Sequence, residues 1–296
     1  MLCAAANALP AQRFGIVASA MQTTTTSYLL DAYPGAGLAY SVRKLRAAYT
    51  GYCMRVVRSS DETYTDVGFT AGGDLDEAAI TSFCGSGNGY VSILYDQSGN
   101  GKNMFSSYYG NYSICTAGIV NKQGTRPIIK GVVSGGFQIA GVSSSLFVGS
   151  SQAYWINTVR PNFSGGDAMY IASIGNDGVD GYGFAVGYSG GMEYGFYSTS
   201  YSPIASISST FTLSSGTQYI SEFVYASSTS ISQYINGTQY TTTETEGTVS
   251  WSSTHDILIG DYYGNGYYAD YQELIFYPSN QASNRAAIYN NVNAYF

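Results

Sequence analysis

From about residue 130 onward the chain is a succession of short strand-like runs punctuated by Gly, Ser and Asn, and this rhythm limits the available folds more than any other feature. The runs at 152–159, 169–174, 183–186, 218–226 and 230–235 are rich in Tyr, Phe, Ile and Val, and their spacing predicts a sandwich of antiparallel sheets. Asn236-Gly237 follows the last of them, and that pair supplies the two positive φ angles of a tight hairpin. Composition agrees: 30 Tyr and 36 Gly stand beside 6 Pro, and 10% of residues are charged. Such a chain has enough aromatic surface to bury and too little charge to stay disordered. The expected fold class is all-β.

The N-terminal part reads differently. Residues 1–27, small and apolar and then Thr23-Thr24-Thr25-Thr26, have no sustained period and are expected to be a tether ahead of one domain at 28–296. Leu38, Val42, Leu45 and Ala48 recur at three- and four-residue spacing around Arg43, Lys44 and Arg46, which predicts a helix over 29–49. A strand is expected at 53–58, then a short helix at 75–83 capped by Asp74 with Glu77 completing a capping box. After a strand at 91–95, Asp96-Gln97-Ser98-Gly99-Asn100-Gly101 reads as a tight turn of residues that tolerate positive φ. A strand at 271–277 and a helix from 283 to about 294 close the chain.

Net charge is −7, with 12 Lys+Arg against 19 Asp+Glu. Residues 1–160 hold 11 of the basic side chains and 8 acids, whereas 161–296 hold only Arg285 against 11 acids. The acidic, Tyr-rich C-terminal half suits neutral sugars or cations and argues against nucleic acid, whose phosphates select clustered Lys and Arg. No run of 18 apolar residues occurs, so no membrane span is expected. Cys3, Cys53, Cys84 and Cys115 stand far apart without metal-ligand spacing, and the core is expected to hold without disulfides. The first 13 residues lack the basic start and unbroken apolar stretch of a secretion signal.

Two stretches carry a resemblance. Arg55-Val56-Val57-Arg58-Ser59-Ser60-Asp61, Phe83-Cys84 and Tyr95-Asp96-Gln97-Ser98-Gly99-Asn100-Gly101 resemble the opening of the catalytic domain of fungal α-L-arabinofuranosidase B, glycoside hydrolase family 54. The C-terminal block, Tyr234-Ile235-Asn236-Gly237, Ile257-Leu258-Ile259-Gly260-Asp261 and 269–277 followed by a helix, is similar to the ending of concanavalin A-like domains. The resemblance implies a concanavalin A-like jelly-roll β-sandwich with short N-terminal and C-terminal helices. It also implies candidate catalytic residues: Asp261, in Ile259-Gly260-Asp261, matches the family's acid/base turn, and Glu193, after Met192, matches its nucleophile strand. A retaining glycosidase needs two such carboxyls about 5–5.5 Å apart. With the preceding strand held in register the nucleophile position falls instead near Ser189, and Asp261 also reads as a turn carboxylate capping backbone N–H groups. Glu222 and Glu273, inside strands, read as solvent-facing positions or partners of a nearby Arg.

The sequence departs from the family in its cysteines: Cys84 has no partner a few residues on, and no adjacent Cys-Cys pair exists. Domains resembling the 28–104 block also occur in virion proteins of tailed bacteriophages, which assemble in the host cytoplasm without disulfides. These departures lead to the expectation of a bacteriophage virion protein, a head or tail fibre or decoration component at the virion surface. Its expected partners are other virion proteins through 1–27, further copies of itself and host-surface glycans. Tyr262, Tyr263, Asn265, Tyr267 and Tyr268, with Tyr194, would form the carbohydrate-binding face, since Tyr offers a flat apolar ring with a polar tip. The alternatives are an extracellular arabinofuranosidase-like retaining hydrolase and a purely structural virion module. No cofactor is expected; Asp177 and Asp180 offer carboxylates for calcium but read as a turn.

Overall fold

Trp155 is fully buried where two sheets face each other, and the fold is organised around it. The computed structural model describes residues 28–296 apart from 107–109, 133–135, 147, 150–151, 163–168, 176–181, 189–190, 198–202, 210, 241–242, 250–253 and 261–268. The expected tether at 1–27 therefore lies outside the described residues. In chain order the strands begin with β1 Leu38–Ser41, β2 Met54–Arg58, β3 Tyr64–Val67, β4 Gly89–Leu94, β5 Met104–Ser106, β6 Tyr112–Thr116 and β7 Ile119–Val120. Next come β8 Lys122–Gln123, β9 Arg126–Pro127, β10 Lys130–Gly131, β11 Phe137–Ser143, β12 Ala153–Pro161, β13 Met169–Gly175, β14 Tyr182–Tyr188 and β15 Gly191–Tyr197. Last are β16 Pro203–Ser209, β17 Tyr219–Ser227, β18 Ser230–Ile235, β19 Thr238–Gln239, β20 Thr243–Thr245, β21 Thr254–Ile259 and β22 Ala269–Tyr277. The helices are α1 Leu29–Ala32, α2 Glu77–Cys84 and α3 Arg285–Tyr295.

One sheet runs β1-β22-β12-β17-β18-β19, and the larger runs β10-β6-β4-β5-β11-β21-β13-β14-β15-β16-β20 with β2, β3 and β7 attached. Their facing sides interlock through aromatic rings. Trp155 on β12 meets Phe196 on β15 edge-on at 5.3 Å, and Tyr194 on β15 stacks on Phe223 of β17 at 5.3 Å. Such pairs contribute roughly 0.5–1.5 kcal/mol each beyond their area. This is the concanavalin A-like jelly-roll sandwich, all-β with short terminal helices.

The six-stranded sheet is buried on both faces, which is why β22 has no exposed residue along its nine positions. Its outer side is covered by Leu29 and Leu30 of α1 and by Ile288 and Val292 of α3, packed on Tyr154, Ile156, Val224, Ile275 and Tyr277. Two acids sit inside this layer, and each has its Arg. Glu273 receives Arg43 through Nε at 2.7 Å and Nη2 at 2.9 Å, together with Ser41 Oγ at 2.6 Å. Glu222 receives Tyr154 Oη at 2.7 Å and Arg285 Nη1 at 2.9 Å. Of the two readings given for these acids, the Arg partner is the one the fold uses.

Two local expectations fail. The helix over 29–49 is one turn, Leu29–Ala32, followed by strand β1. Leu38, Tyr40 and Val42 face the sandwich core while Ala39 and Leu45 join the cluster under α3, a two-residue alternation whose two buried faces together mimic helical spacing. The cap of α2 is Asp76, whose carboxylate accepts from Ala79 N at 3.0 Å. Asp74 instead accepts from Arg126 Nη1 at 2.9 Å and Tyr295 Oη at 2.6 Å, contacts that no local pattern announces.

The Asp96–Gly101 turn forms as expected. Its buried Asp96 carboxylate accepts from Ala39 N at 3.1 Å, Ser98 N at 2.9 Å, Ser98 Oγ at 2.7 Å and Lys102 N at 3.1 Å, and so ties the turn to β1. Gly99 and Gly101 take positive φ, 98° and 67°.

Candidate active site

Strand β15 positions Glu193 by simple alternation. Met192, Tyr194 and Phe196 point into the core, each fully buried, so Glu193 faces the opposite side of the larger sheet, where it is half-buried. Its neighbours across the ladder are Val186 on β14 and Ser208 on β16. The same alternation corrects one expectation: Tyr194 has no face to offer a sugar, because its ring is committed to Phe223 and Trp155. Burial also pushes its hydroxyl well above the usual tyrosine range.

Asp261, Tyr262, Tyr263, Asn265, Tyr267 and Tyr268 lie outside the described residues, but both ends of that segment are fixed. On the N-terminal side β21 ends at Ile259, whose carbonyl accepts Tyr112 Oη at 3.3 Å. Gly260 then takes φ +79°, and a Cβ there would stand 2.1 Å from Tyr112 Oη and 3.0 Å from Tyr271 Oη. Only glycine fits this position. On the C-terminal side, buried Asp270 accepts Gly131 N at 3.0 Å and Arg160 Nε at 2.8 Å, with a further contact to Arg160 Nη2. Burial pushes the Asp270 carboxyl up and Arg160 opposes that shift. Tyr112, Tyr271, Arg160 and Asp270 escaped the sequence reading because they act across separations such as 147 residues between Tyr112 and Ile259.

Glu193 and the end of β21 belong to one sheet, with β13 and β14 between their strands. Three inter-strand steps measure about 14 Å along a flat sheet. A carboxyl pair drawn from these strands comes together only across a curved face, with both side chains on the same side. The calcium candidates Asp177 and Asp180 lie outside the described residues; among the described residues no three His, Cys, Asp or Glu side chains cluster.

Comparison with known proteins decides the family. The model of the α-L-arabinofuranosidase B catalytic domain matches residues 30–203, more than half of the 296-residue chain. The chain belongs to the α-L-arabinofuranosidase B catalytic-domain family. Among relatives of this arabinofuranosidase-family chain, a probable α-L-arabinofuranosidase B of Aspergillus flavus is 37% identical over 105 residues, which are 33% of this chain and 20% of that protein. The α-L-arabinofuranosidase B of Aspergillus niger is 30% identical over 106 residues, 34% of this chain and 21% of that one. A crystal structure of an arabinofuranosidase complexed with arabinofuranosyl-α-1,2-xylobiose superposes with TM-score 0.54 at 16% identity, over 89% of this chain and 64% of that one. At that identity the superposition shows the fold. The chain spans less than two thirds of the length of these relatives.

These matches overturn the expectation of a bacteriophage virion protein at the virion surface, since family model and relatives alike are arabinofuranosidases. That expectation leaned on missing cysteine partners. Disulfides bear on compartment and stability and not on glycoside chemistry, and the family match runs through β15 and Glu193 to residue 203.

Proposed function

We propose that the chain is a retaining α-L-arabinofuranosidase, with arabinose-substituted xylan fragments as its substrate class. The observation that carries this reading is the family match across 30–203, which includes the strand that turns Glu193 away from the core. Glu193 is the nucleophile: its carboxylate attacks the anomeric carbon and forms a glycosyl-enzyme ester as the C–O bond to the leaving group breaks. Asp261 is the acid that protonates the departing oxygen and then the base that takes a proton from the water that releases arabinose. Tyr262, Tyr263, Tyr267, Tyr268 and Asn265, between the fixed ends at Gly260 and Asp270, supply ring faces and an amide for the sugar. The substrate class follows the ligand of the solved arabinofuranosidase complex.

Release of chromophore from an aryl α-L-arabinofuranoside tests the reading. Wild-type activity is expected, with kcat/KM lowered by about 1000-fold or more in both Glu193→Gln and Asp261→Asn, the scale set by losing a positioned nucleophile or proton donor. An inactive wild-type chain overturns the hydrolase reading, and retained activity in either variant overturns the pair.

A further inference from the structure

Cys84 lacks a cysteine partner nearby in sequence, but the fold brings one to it. Gly89 on β4 is the register partner of Cys115 on β6. A Cβ built on Gly89 would stand 2.6 Å from Cys84 Sγ and 3.2 Å from Cys115 Cβ, so the position between the two cysteines is held by a residue with no side chain. The turn leaving α2 is seated against β6 and β7 with equal closeness: Gly118 N donates to Gly87 O at 2.8 Å, and a Cβ on Gly118 would meet Gly85 O at 2.2 Å. Cys84 and Cys115 are both buried, at 3% and 0% exposure, and Cys115 Sγ lies 4.0 Å from Gly87 O in the turn that leaves α2. Cys53, the other described cysteine, is engaged elsewhere, its thiol donating to Ser41 O at 3.2 Å.

We propose that Cys84 and Cys115 are a disulfide-forming site that ties the C-terminal end of α2 to β6 when the chain folds with a low-molecular-weight disulfide such as oxidised glutathione. One cysteine thiolate attacks a sulfur of oxidised glutathione, breaks its S–S bond and releases one glutathione thiolate. The second cysteine thiolate attacks the protein sulfur of that mixed disulfide, forms the Cys84–Cys115 bond and releases the other glutathione. The two protons lost by the cysteines pass to the two glutathione thiolates. The protein is thus oxidised by two electrons and one oxidised glutathione is reduced to two thiols. Burial pushes the Cys84 thiol up to about 12 in the folded state, which starves it of thiolate. The bond therefore forms while α2 is still docking, and once sealed it resists small reductants. It closes a loop that includes β4 and β5, and so restrains the unfolded chain.

The test uses the full chain, refolded either with a mixture of reduced and oxidised glutathione or with dithiothreitol, then alkylated, digested and mapped by mass spectrometry. After oxidative refolding the expected product joins the peptides holding Cys84 and Cys115, lighter by two hydrogens than their sum, with Cys53 alkylated. Its thermal midpoint should lie roughly 5–10 °C above that of the reduced chain, a difference absent in Cys115→Ser. Complete alkylation of Cys84 and Cys115 after oxidative refolding overturns the proposal, as does linkage of either to Cys3 or Cys53. The wild-type peptide map decides the matter even where Cys115→Ser does not fold. Its outcome is independent of arabinofuranosidase activity.

Discussion

At Gly260 the absence of a side chain lets two tyrosines close around the end of β21, immediately before Asp261. Tyr112 is itself held by stacking on Phe137 at 4.3 Å, so its hydroxyl has little room to yield to an added methyl. Gly260→Ala combines a 2.1 Å approach to Tyr112 Oη with a φ of +79°, and overpacking together with left-handed backbone is expected to cost about 2–4 kcal/mol. Urea melts measure the loss. Tyr112→Phe removes the colliding oxygen and alone costs about 1 kcal/mol for the hydrogen bond to Ile259 O. In the double variant the two losses should fall short of additive by at least 1 kcal/mol; strict additivity would mean that Tyr112 does not set the space at Gly260. The proposed arabinofuranosidase activity should fall in Gly260→Ala by more than the loss of stability at assay temperature explains, because Asp261, the proposed acid, is the next residue.

Between elements, the outer helix α3 covers the Glu222 carboxyl, which Arg285 of that helix reaches at 2.9 Å and whose ionisation depends on pH. Burial, the largest influence, pushes the Glu222 carboxyl from its ordinary 4.5 up to about 7, against the opposing pull of Tyr154 Oη and Arg285. Tyr289 of α3 also feels this carboxylate, which together with burial raises its hydroxyl. A raised carboxyl means that the folded protein holds this proton more tightly than the unfolded chain does. The resulting stability is complete below about pH 4.5 and is lost as pH climbs through 7, an amount of about 3 kcal/mol. Asp66, held low by Arg55, works in the opposite sense and loses its contribution as pH falls below the ordinary carboxylate range. Glu222→Gln should flatten the decline between pH 4.5 and 8 in denaturant melts. A variant that keeps the wild-type slope would show that Glu222 is not its source.

How far these elements were legible depended on the range of the forces that form them. The Asn236-Gly237 hairpin is local and appears as read, with φ of 49° and 76°. The Asp96 turn is local too, although its anchorage to Ala39 N was not visible. Strand β1 does not read as a strand because its ladder partner β22 lies more than 200 residues away, and because one of its faces is buried in the sandwich core and the other in the cluster under α3. At the candidate site, Glu193 and Asp261 are proposed from family resemblance alone, and the Tyr112, Tyr271 and Arg160 supports have no local signal, since each joins segments distant in sequence. Tyr194 was misassigned because strand composition does not say which face is buried, and only its pairing with Phe223 does.

At the scale of the whole molecule, the two ends of the sequence are woven through one another. The family model stops at residue 203, yet β1 and β12 both pair with β22, β12 also pairs with β17, and β11 and β13 both pair with β21. Trp155 would lose Phe223 and Phe276 from its surroundings if the chain ended there. The proposed carboxyl pair is divided in the same way, with Glu193 inside the matched segment and Asp261 beyond it. A fragment of residues 30–203 would keep the exposed edges of β11, β12 and β13 and would lack the partners that bury Trp155. It is therefore expected to be a collapsed chain that binds a hydrophobic dye, shows no cooperative thermal transition and has no arabinofuranosidase activity, because the lost pairings leave backbone groups unpaired and aromatic surface in water. The full chain should melt in a single transition in which circular dichroism and tryptophan fluorescence coincide, as expected when interlocked sheets cannot separate into independent units. A cooperative melt of the fragment, or two separated transitions in the full chain, would show that the halves fold independently and that the pairing of β22 with β1 and β12 is an accessory to the sandwich.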